Sequence, residues 1–64
     1  MEKSEPLTHI SQVVVVEGKN DTARLKSCFD CDTIETDGGR LSPETLELIR
    51  EAARTRGIIV FTDP

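Results

Sequence analysis

The chain has 64 residues and a net charge of −4 at pH 7, from 8 basic and 12 acidic side chains. This length allows at most one small domain, which buries only about 60% of the surface that its unfolded chain exposes. Its longest apolar run, Val13 to Val16, is far shorter than the roughly 20 residues of a membrane-spanning helix. The chain is acidic and lacks the basic patch that is typical of a free-standing nucleic-acid binder. If it acts on nucleic acid, a metal ion or a further part of a longer protein would have to offset the repulsion by the phosphates.

Residues 1 to 11 are polar, contain Pro6 and show no periodicity, which predicts a flexible lead-in to a domain over residues 12 to 64. His9, the one histidine, is interpreted as a solvated side chain. Gln12 to Val16 predicts a strand, because four consecutive valines favour extended backbone. An unbroken apolar run suits a strand covered on both faces, as in a parallel sheet.

A short helix is predicted next, with Asn20 or Asp21 as its N-cap and its end near Phe29. Its buried stripe would be formed by Leu25, Cys28 and Phe29. Cys28 and Cys31 form a C-x-x-C pair without a second pair or a basic or aromatic context. They are interpreted as reduced cysteines of a cytoplasmic protein rather than as a redox or metal site.

The middle of the chain predicts a turn at Asp30 to Asp32, a short edge strand at Thr33 to Thr36 and a loop at Asp37 to Gly39. A second helix is predicted from Ser42 as N-cap and Pro43 as first residue, with Gly57 just past its end. Its apolar stripe is expected to comprise Leu46, Ile49 and Ala53, widened by Leu48 and Ala52.

Ile58 to Phe61 predicts a third, buried strand close to the last residue, which suggests a domain that continues beyond this chain. The order β-α-β-α-β with short links predicts an α/β fold, a Rossmann-like open parallel sheet truncated after its third strand. We expect the strand order 2-1-3, with the two helices on opposite faces.

Acidic residues follow two strands that this order makes neighbours, Glu17 after the first and Asp63 after the third. Ligands of open parallel sheets bind at the carboxyl ends of strands where the strand order reverses. Two carboxylates on strands about 4.8 Å apart repel each other unless a cation or a shared proton lies between them. Oxygen ligands without histidine favour Mg²⁺, although both acids could instead be solvent-facing loop residues.

Asp21 is open to two interpretations, an N-cap or a metal ligand, and Lys19 could contact a phosphate or only solvent. Gly18 and Lys19 do not belong to a phosphate-binding loop, because the G-x-x-x-x-G-K-[ST] pattern is absent.

The segment 13 to 21, VVVVEGKND, resembles the first motif of the Toprim superfamily, an apolar strand followed by Glu and Gly. The segment 58 to 64, IIVFTDP, resembles the start of its second motif, Asp-x-Asp. DTAR at 21 to 24, DTIET at 32 to 36 and RGIIVFTDP at 56 to 64 are similar to the ribonuclease M five family within that superfamily. The resemblance covers about residues 12 to 64.

This resemblance implies a Mg²⁺-dependent endoribonuclease that trims precursor 5S ribosomal RNA, presented on a ribosomal protein that binds it. The motif glutamate corresponds to Glu17 and the first motif aspartate to Asp63, while the second aspartate would fall one residue past Pro64. Asp63 would be a metal ligand, and Glu17 a ligand or the group that moves the proton. Gly18 would let the RNA backbone approach. The 64 residues alone would then be inactive.

Two other functions fit the predicted order of elements. A receiver-like phosphoacceptor module also has acids after strands one and three, but it carries an acidic pair where this chain has Glu17 and Gly18. A non-catalytic Toprim-like binding module is the other alternative.

Overall fold

The computed structural model describes residues 7–38 and 41–61. Its elements run in the order β1 (Thr8–Val16), α1 (Lys19–Cys28), β2 (Phe29–Glu35), α2 (Pro43–Thr55) and β3 (Ile58–Val60). The three strands form one parallel sheet of order β2-β1-β3. The predicted α/β fold and strand order are therefore confirmed, with β1 as the central strand.

The core lies around β1, where Val13, Val14, Val15 and Val16 are all buried. Val14 and Val16 pack with Cys31 of β2, and Leu25 of α1 lies against this cluster. Side chains alternate along a strand, so Val13 and Val15 point to the other face. Cover is therefore needed on both faces, as the unbroken valine run predicted. The helix α2 contacts all three strands and contributes the buried Ala52.

The strand β1 begins at Thr8, so residues 8 to 11 belong to the strand and not to the predicted lead-in. Parallel pairing explains this difference, because Thr8 and His9 lie opposite Phe29 and Asp30 of β2. The register then shifts between His9 and Val13. Residues 1 to 6 lie outside the described residues.

The strand β2 also starts earlier than predicted, at Phe29, and it includes the segment 30–32 that was predicted to be a turn. Aspartate favours turns, but backbone pairing with β1 overrides this weak local preference. Phe29 consequently leaves the predicted helix, and Cys28 is exposed. Of the predicted α1 stripe, Leu25 alone keeps its role as a helical residue packed on the core.

The helix α2 begins and ends as predicted. The Ser42 hydroxyl accepts a hydrogen bond from the Thr45 N–H at 3.1 Å, with Pro43 as first helical residue. Gly57 follows the helix with a φ of 85°, a left-handed conformation that favours glycine. The predicted apolar stripe is only partly buried, because Ala52 is its one buried member and Leu46 and Leu48 are exposed.

The strand β3 forms where it was predicted, but it is not buried. Ile59 is 41% and Val60 64% exposed. Its position explains the exposure, because β3 pairs only with β1 among the described residues and forms an edge of the sheet.

Candidate functional site at the carboxyl edge of the sheet

Glu17 is the first residue after the central strand β1, and its side chain is exposed at the carboxyl edge of the sheet. The loop after β2 lies beside it. The Thr36 N–H donates to the Val16 carbonyl at 2.9 Å, and the Gly38 N–H donates to the Glu17 carbonyl at 3.3 Å. These two hydrogen bonds hold the backbone on either side of Glu17.

The loop reaches Glu17 through two consecutive left-handed residues, Asp37 with φ 56° and Gly38 with φ 79°. Aspartate tolerates this conformation better than most residues, and glycine adopts it without steric cost. The predicted loop is confirmed at Asp37 and Gly38, and Gly39 lies outside the described residues.

The helix α1 starts at Lys19, two residues after Glu17, with Gly18 as its N-cap. Asn20 and Asp21 lie inside the helix, so the prediction that one of them caps it is wrong. Gly18 has a φ of −156°, extended backbone that any residue adopts. A Cβ built on Gly18 would meet no heavy atom within 4 Å, so the space above this glycine is open.

A cleft of about 460 Å³ occupies that space, and we refer to it as the carboxyl-edge cleft. It is lined by Glu17, Gly18, Lys19, Asn20, Asp21, Arg24 and Gly38. The structure thus brings the predicted residues Glu17, Gly18 and Lys19 together in one cleft. Two carboxylates and two cationic side chains face the same small volume.

Asp21 and Arg24 form the charged pair on the α1 side of the cleft. The Asp21 Oδ1 atom lies 4.0 Å from the Arg24 Nη1 atom, an i,i+3 pair on one helix face. The Asp21 side chain is 19% exposed and that of Arg24 is 69% exposed. Arg24 and Asn20 did not figure among the predicted site residues, although the three-residue spacing of Asp21 and Arg24 is a sequence signal for a shared helix face.

A part-buried hydrogen-bond group ties the first turn of α1 to β2 beside the cleft. The Thr22 hydroxyl donates to the Glu35 Oε2 atom at 2.8 Å, and its oxygen lies 3.0 Å from the Thr33 hydroxyl oxygen. Thr22 directly follows Asp21, so these hydrogen bonds fix the helix turn that carries Asp21.

Asp63, the predicted partner of Glu17, lies outside the described residues. The strand β3 runs parallel to β1, and the Phe61 N–H donates to the Val15 carbonyl at 2.9 Å. Within residues 7–38 and 41–61, no three His, Cys, Asp or Glu side chains group closely enough to hold a metal ion.

The side chains of the carboxyl-edge cleft nonetheless fit the chemistry of a hard cation. Its acidic members, Glu17 and Asp21, offer carboxylate oxygens and no nitrogen or sulfur ligand. Mg²⁺ is commonly held by only one or two carboxylates together with water and substrate phosphate oxygens. The Glu17 carboxylate beside the open space above Gly18 satisfies the lower of these two numbers.

The cysteine pair takes no part in this cleft. Both cysteines are free; Cys31 is buried in the core and Cys28 is exposed at the end of α1. In the part of the chain that the structure describes, no helix combines the length and the apolar character needed to cross a membrane.

Comparison with known proteins gives relatives named ribonuclease M5. The chain is 53% identical over 55 residues to ribonuclease M5 of Staphylococcus aureus, 49% to that of Bacillus subtilis and 53% to that of Lactococcus lactis. Each match covers 86% of this chain, and between 27% and 31% of the relative. No family model matches the chain. Over these 55 residues the chain is a homologue of proteins named ribonuclease M5, and it spans about 30% of their length.

Proposed function

We propose that this chain is part of a Mg²⁺-dependent endoribonuclease that trims precursor 5S ribosomal RNA in a Toprim-type acidic site. The observation that carries the proposal is the identity of about 50% to ribonuclease M5 proteins over 86% of the chain. The segments that resemble Toprim motifs include Glu17, which lies in the carboxyl-edge cleft. We further propose that the enzyme acts in the cytoplasm, on RNA bound to a ribosomal protein.

The chemistry that this function requires is hydrolysis of a phosphodiester bond. A bound Mg²⁺ would lower the pKa of a coordinated water and stabilise negative charge on the leaving oxygen. Glu17 and Asp63 would hold the ion, or Glu17 would take the proton of the attacking water. Gly18 leaves room above the helix start, which allows the RNA backbone to come close to Glu17.

The charge of the chain fits a role as part of a larger nuclease. A net charge of −4 disfavours RNA binding by these 64 residues, because affinity for RNA depends on neutralising phosphates. The relatives are about three times as long as the matched segment, which leaves most of their length for an RNA-binding surface.

A chimera tests this function directly. The matched 55 residues of this chain replace their counterparts in the Staphylococcus aureus relative, and the product is incubated with precursor 5S ribosomal RNA and the ribosomal protein that binds it. We expect site-specific cleavage in Mg²⁺ and none after chelation with EDTA. A folded chimera that binds the RNA but leaves it intact, beside an active parent relative, would contradict the proposal.

A further inference from the structure

The carboxyl-edge cleft contains two cationic side chains, Lys19 and Arg24, in a chain whose net charge is negative. Arg24 is the one whose surroundings the structure defines, through its pair with Asp21 on the first turns of α1. We propose that Arg24 binds a phosphate of the RNA backbone, with Asp21 as the positioning residue that directs it into the cleft. This inference rests on the proposed function.

Arg24 differs from two other arginines of the chain in how far its guanidinium is already engaged. Arg56 donates to the Asp32 carboxylate and to the Ser11 carbonyl, both at 2.9 Å, and Arg54 forms a short contact with Glu51. The nearest Asp21–Arg24 approach is 4.0 Å, beyond hydrogen-bond distance. Among the residues that the structure describes, no side-chain hydrogen bond engages the Arg24 guanidinium, while the nearby Asp21 carboxylate still restrains the side chain by its charge.

Asp21 suits a positioning role because its side chain is largely covered, at 19% exposure. Its own helix turn is fixed by the hydrogen bonds of Thr22 to Thr33 and Glu35 of β2. An acid that precedes a base by three residues lies on the same helix face, in the orientation that the helix dipole favours. The pair thus presents the guanidinium toward the cleft from a rigid support.

A phosphate diester is the ligand that matches this arrangement. Guanidinium binds phosphate oxygens through two parallel hydrogen bonds, which ammonium cannot do. Arg24 lies five residues beyond the start of α1, which is about 7.5 Å along the helix axis. Glu17 precedes that start, so Arg24 contacts the backbone away from the bond that is cleaved. The expected role is therefore in binding and not in the chemical step.

The test uses the chimera described above, with Arg24→Gln, Arg24→Lys and the control Arg54→Gln. The substitution Arg54→Gln removes the same charge from the exposed end of α2, outside the cleft. Binding is titrated at several salt concentrations in a Glu17→Gln background, which separates binding from cleavage, and kcat and KM are measured with Glu17 intact.

We expect Arg24→Gln to weaken binding about three- to tenfold at 150 mM salt and to reduce the slope of log K against log salt by about 0.7 to 0.9, the contribution of one phosphate contact. It should raise KM and leave kcat within about twofold. Arg24→Lys should restore part of the affinity. Arg54→Gln should leave the affinity and the salt slope unchanged. Because a phosphate contact carries no sequence information, an unrelated single-stranded RNA should lose affinity by the same factor.

Two failures can be told apart. If the parent chimera does not cleave precursor 5S ribosomal RNA, the proposed function is wrong. If it cleaves, and Arg24→Gln keeps both the parent affinity and the parent salt slope, Arg24 does not bind phosphate. A loss of kcat at unchanged KM would also overturn the assignment, because it would place Arg24 at the reacting atoms.

Discussion

Glu17 combines exposure with a fixed backbone. Its side chain opens to the carboxyl-edge cleft, while its carbonyl accepts from Gly38 and the preceding Val16 carbonyl accepts from Thr36. A carboxylate in such a place is accessible to a substrate. The hydrogen bonds that hold its position involve the backbone, so a substitution of the side chain leaves them intact. This makes Glu17 well suited to a substitution that separates chemistry from folding.

We expect Glu17→Gln in the chimera to reduce single-turnover cleavage of precursor 5S ribosomal RNA by 10²–10⁴-fold, about 3–5 kcal/mol of barrier. Glutamine keeps the size of the side chain but removes its charge and its basic oxygen. RNA binding should persist, because a negative charge near phosphates is removed. Glu47→Gln on the exposed side of α2 is the matched control. Cleavage within about threefold of the parent at saturating Mg²⁺ would make Glu17 a turn residue only.

Gly18 and Gly57 give opposite predictions for the same substitution. Gly18 has extended backbone and open space around it, so Gly18→Ala should change the free energy of unfolding by less than about 0.5 kcal/mol. In the chimera the added methyl group should reduce cleavage about tenfold or more, because it occupies space that the RNA backbone needs.

Gly57→Ala serves as the control. Its φ of 85° is unfavourable for alanine, and a Cβ there would lie 3.3 Å from the Gln12 Cγ atom. It should lower the free energy of unfolding by about 1 kcal/mol or more. Denaturant titration and single-turnover cleavage measure both variants. Full activity of Gly18→Ala would show that the RNA does not approach this glycine.

At the scale of the elements, α1 and α2 begin in different ways. Gly18 provides no side-chain acceptor for α1, whereas the Ser42 hydroxyl accepts the Thr45 N–H at the start of α2. The stability of α2 therefore depends on a local cap, and α1 depends on its tether to β2 through Thr22.

Ser42→Ala should destabilise the chain by about 1 kcal/mol, because the Thr45 N–H loses its acceptor. Ser27→Ala is the matched control: the Ser27 hydroxyl donates to the Arg24 carbonyl three residues earlier, inside α1. Alanine favours helix at such a site, so this control should be neutral or slightly stabilising. Urea unfolding of both variants measures the difference. An equal effect of the two substitutions would contradict the capping role of Ser42.

Arg56 connects the end of α2 to the sheet. Its guanidinium donates to the Asp32 carboxylate and the Ser11 carbonyl, which joins the end of α2 to the middle of β2 and β1. The hydrogen bond and the charge of Arg56 lower the pKa of Asp32 below its ordinary value of 3.8.

A lowered folded-state pKa means that Asp32 contributes stability above pH 3.8 and that this contribution is lost as the pH falls through the folded value. The free energies of unfolding of the parent and of Asp32→Asn should therefore differ at pH 6 and converge in acid. The effect should be small because solvent screens the pair: the Asp32 side chain is 66% exposed and the Arg56 side chain 39%. In an Arg56→Gln background the difference should shrink, because the charges of Lys26 and His9 lower this pKa less than Arg56 does. A difference as large as in the parent would assign the effect to another partner of Asp32.

At the scale of the whole molecule, two surface properties stand out: a net negative charge and exposed apolar side chains. The chain carries −4, and Ile59, Val60, Leu46 and Leu48 are exposed on β3 and α2. The carboxyl-edge cleft brings two acidic and two cationic side chains together.

The purified 64-residue chain should not cleave precursor 5S ribosomal RNA in Mg²⁺, and it should not bind that RNA measurably at 150 mM salt. Its negative charge repels phosphates, and it spans about 30% of its relatives. Gel-based cleavage assays and a binding titration beside the chimera measure both properties. Metal-dependent cleavage at the chimera's site by the pure chain would contradict this prediction.

The sequence predicted the strand order from the alternation of strands and helices and from the apolar pattern of β1, and it predicted the α2 boundaries and the position of Glu17 from local signals. Four valines in a row require cover on both faces, and Ser42 with Pro43 marks a helix start independently of its neighbours. Glu17 had to emerge at the carboxyl edge once β1 was central.

Only the tertiary structure decided the extent of β1 and β2, the capping of α1 and the exposure of β3. Backbone hydrogen bonds between parallel strands extended β1 back to Thr8 and drew Asp30 into extended pairing against its local preference. The edge position of β3 left Val60 exposed although its sequence is apolar. Arg24 entered the cleft because the packing of α1 on β2 turned one helix face toward Glu17. Contacts between residues distant in sequence fix these features.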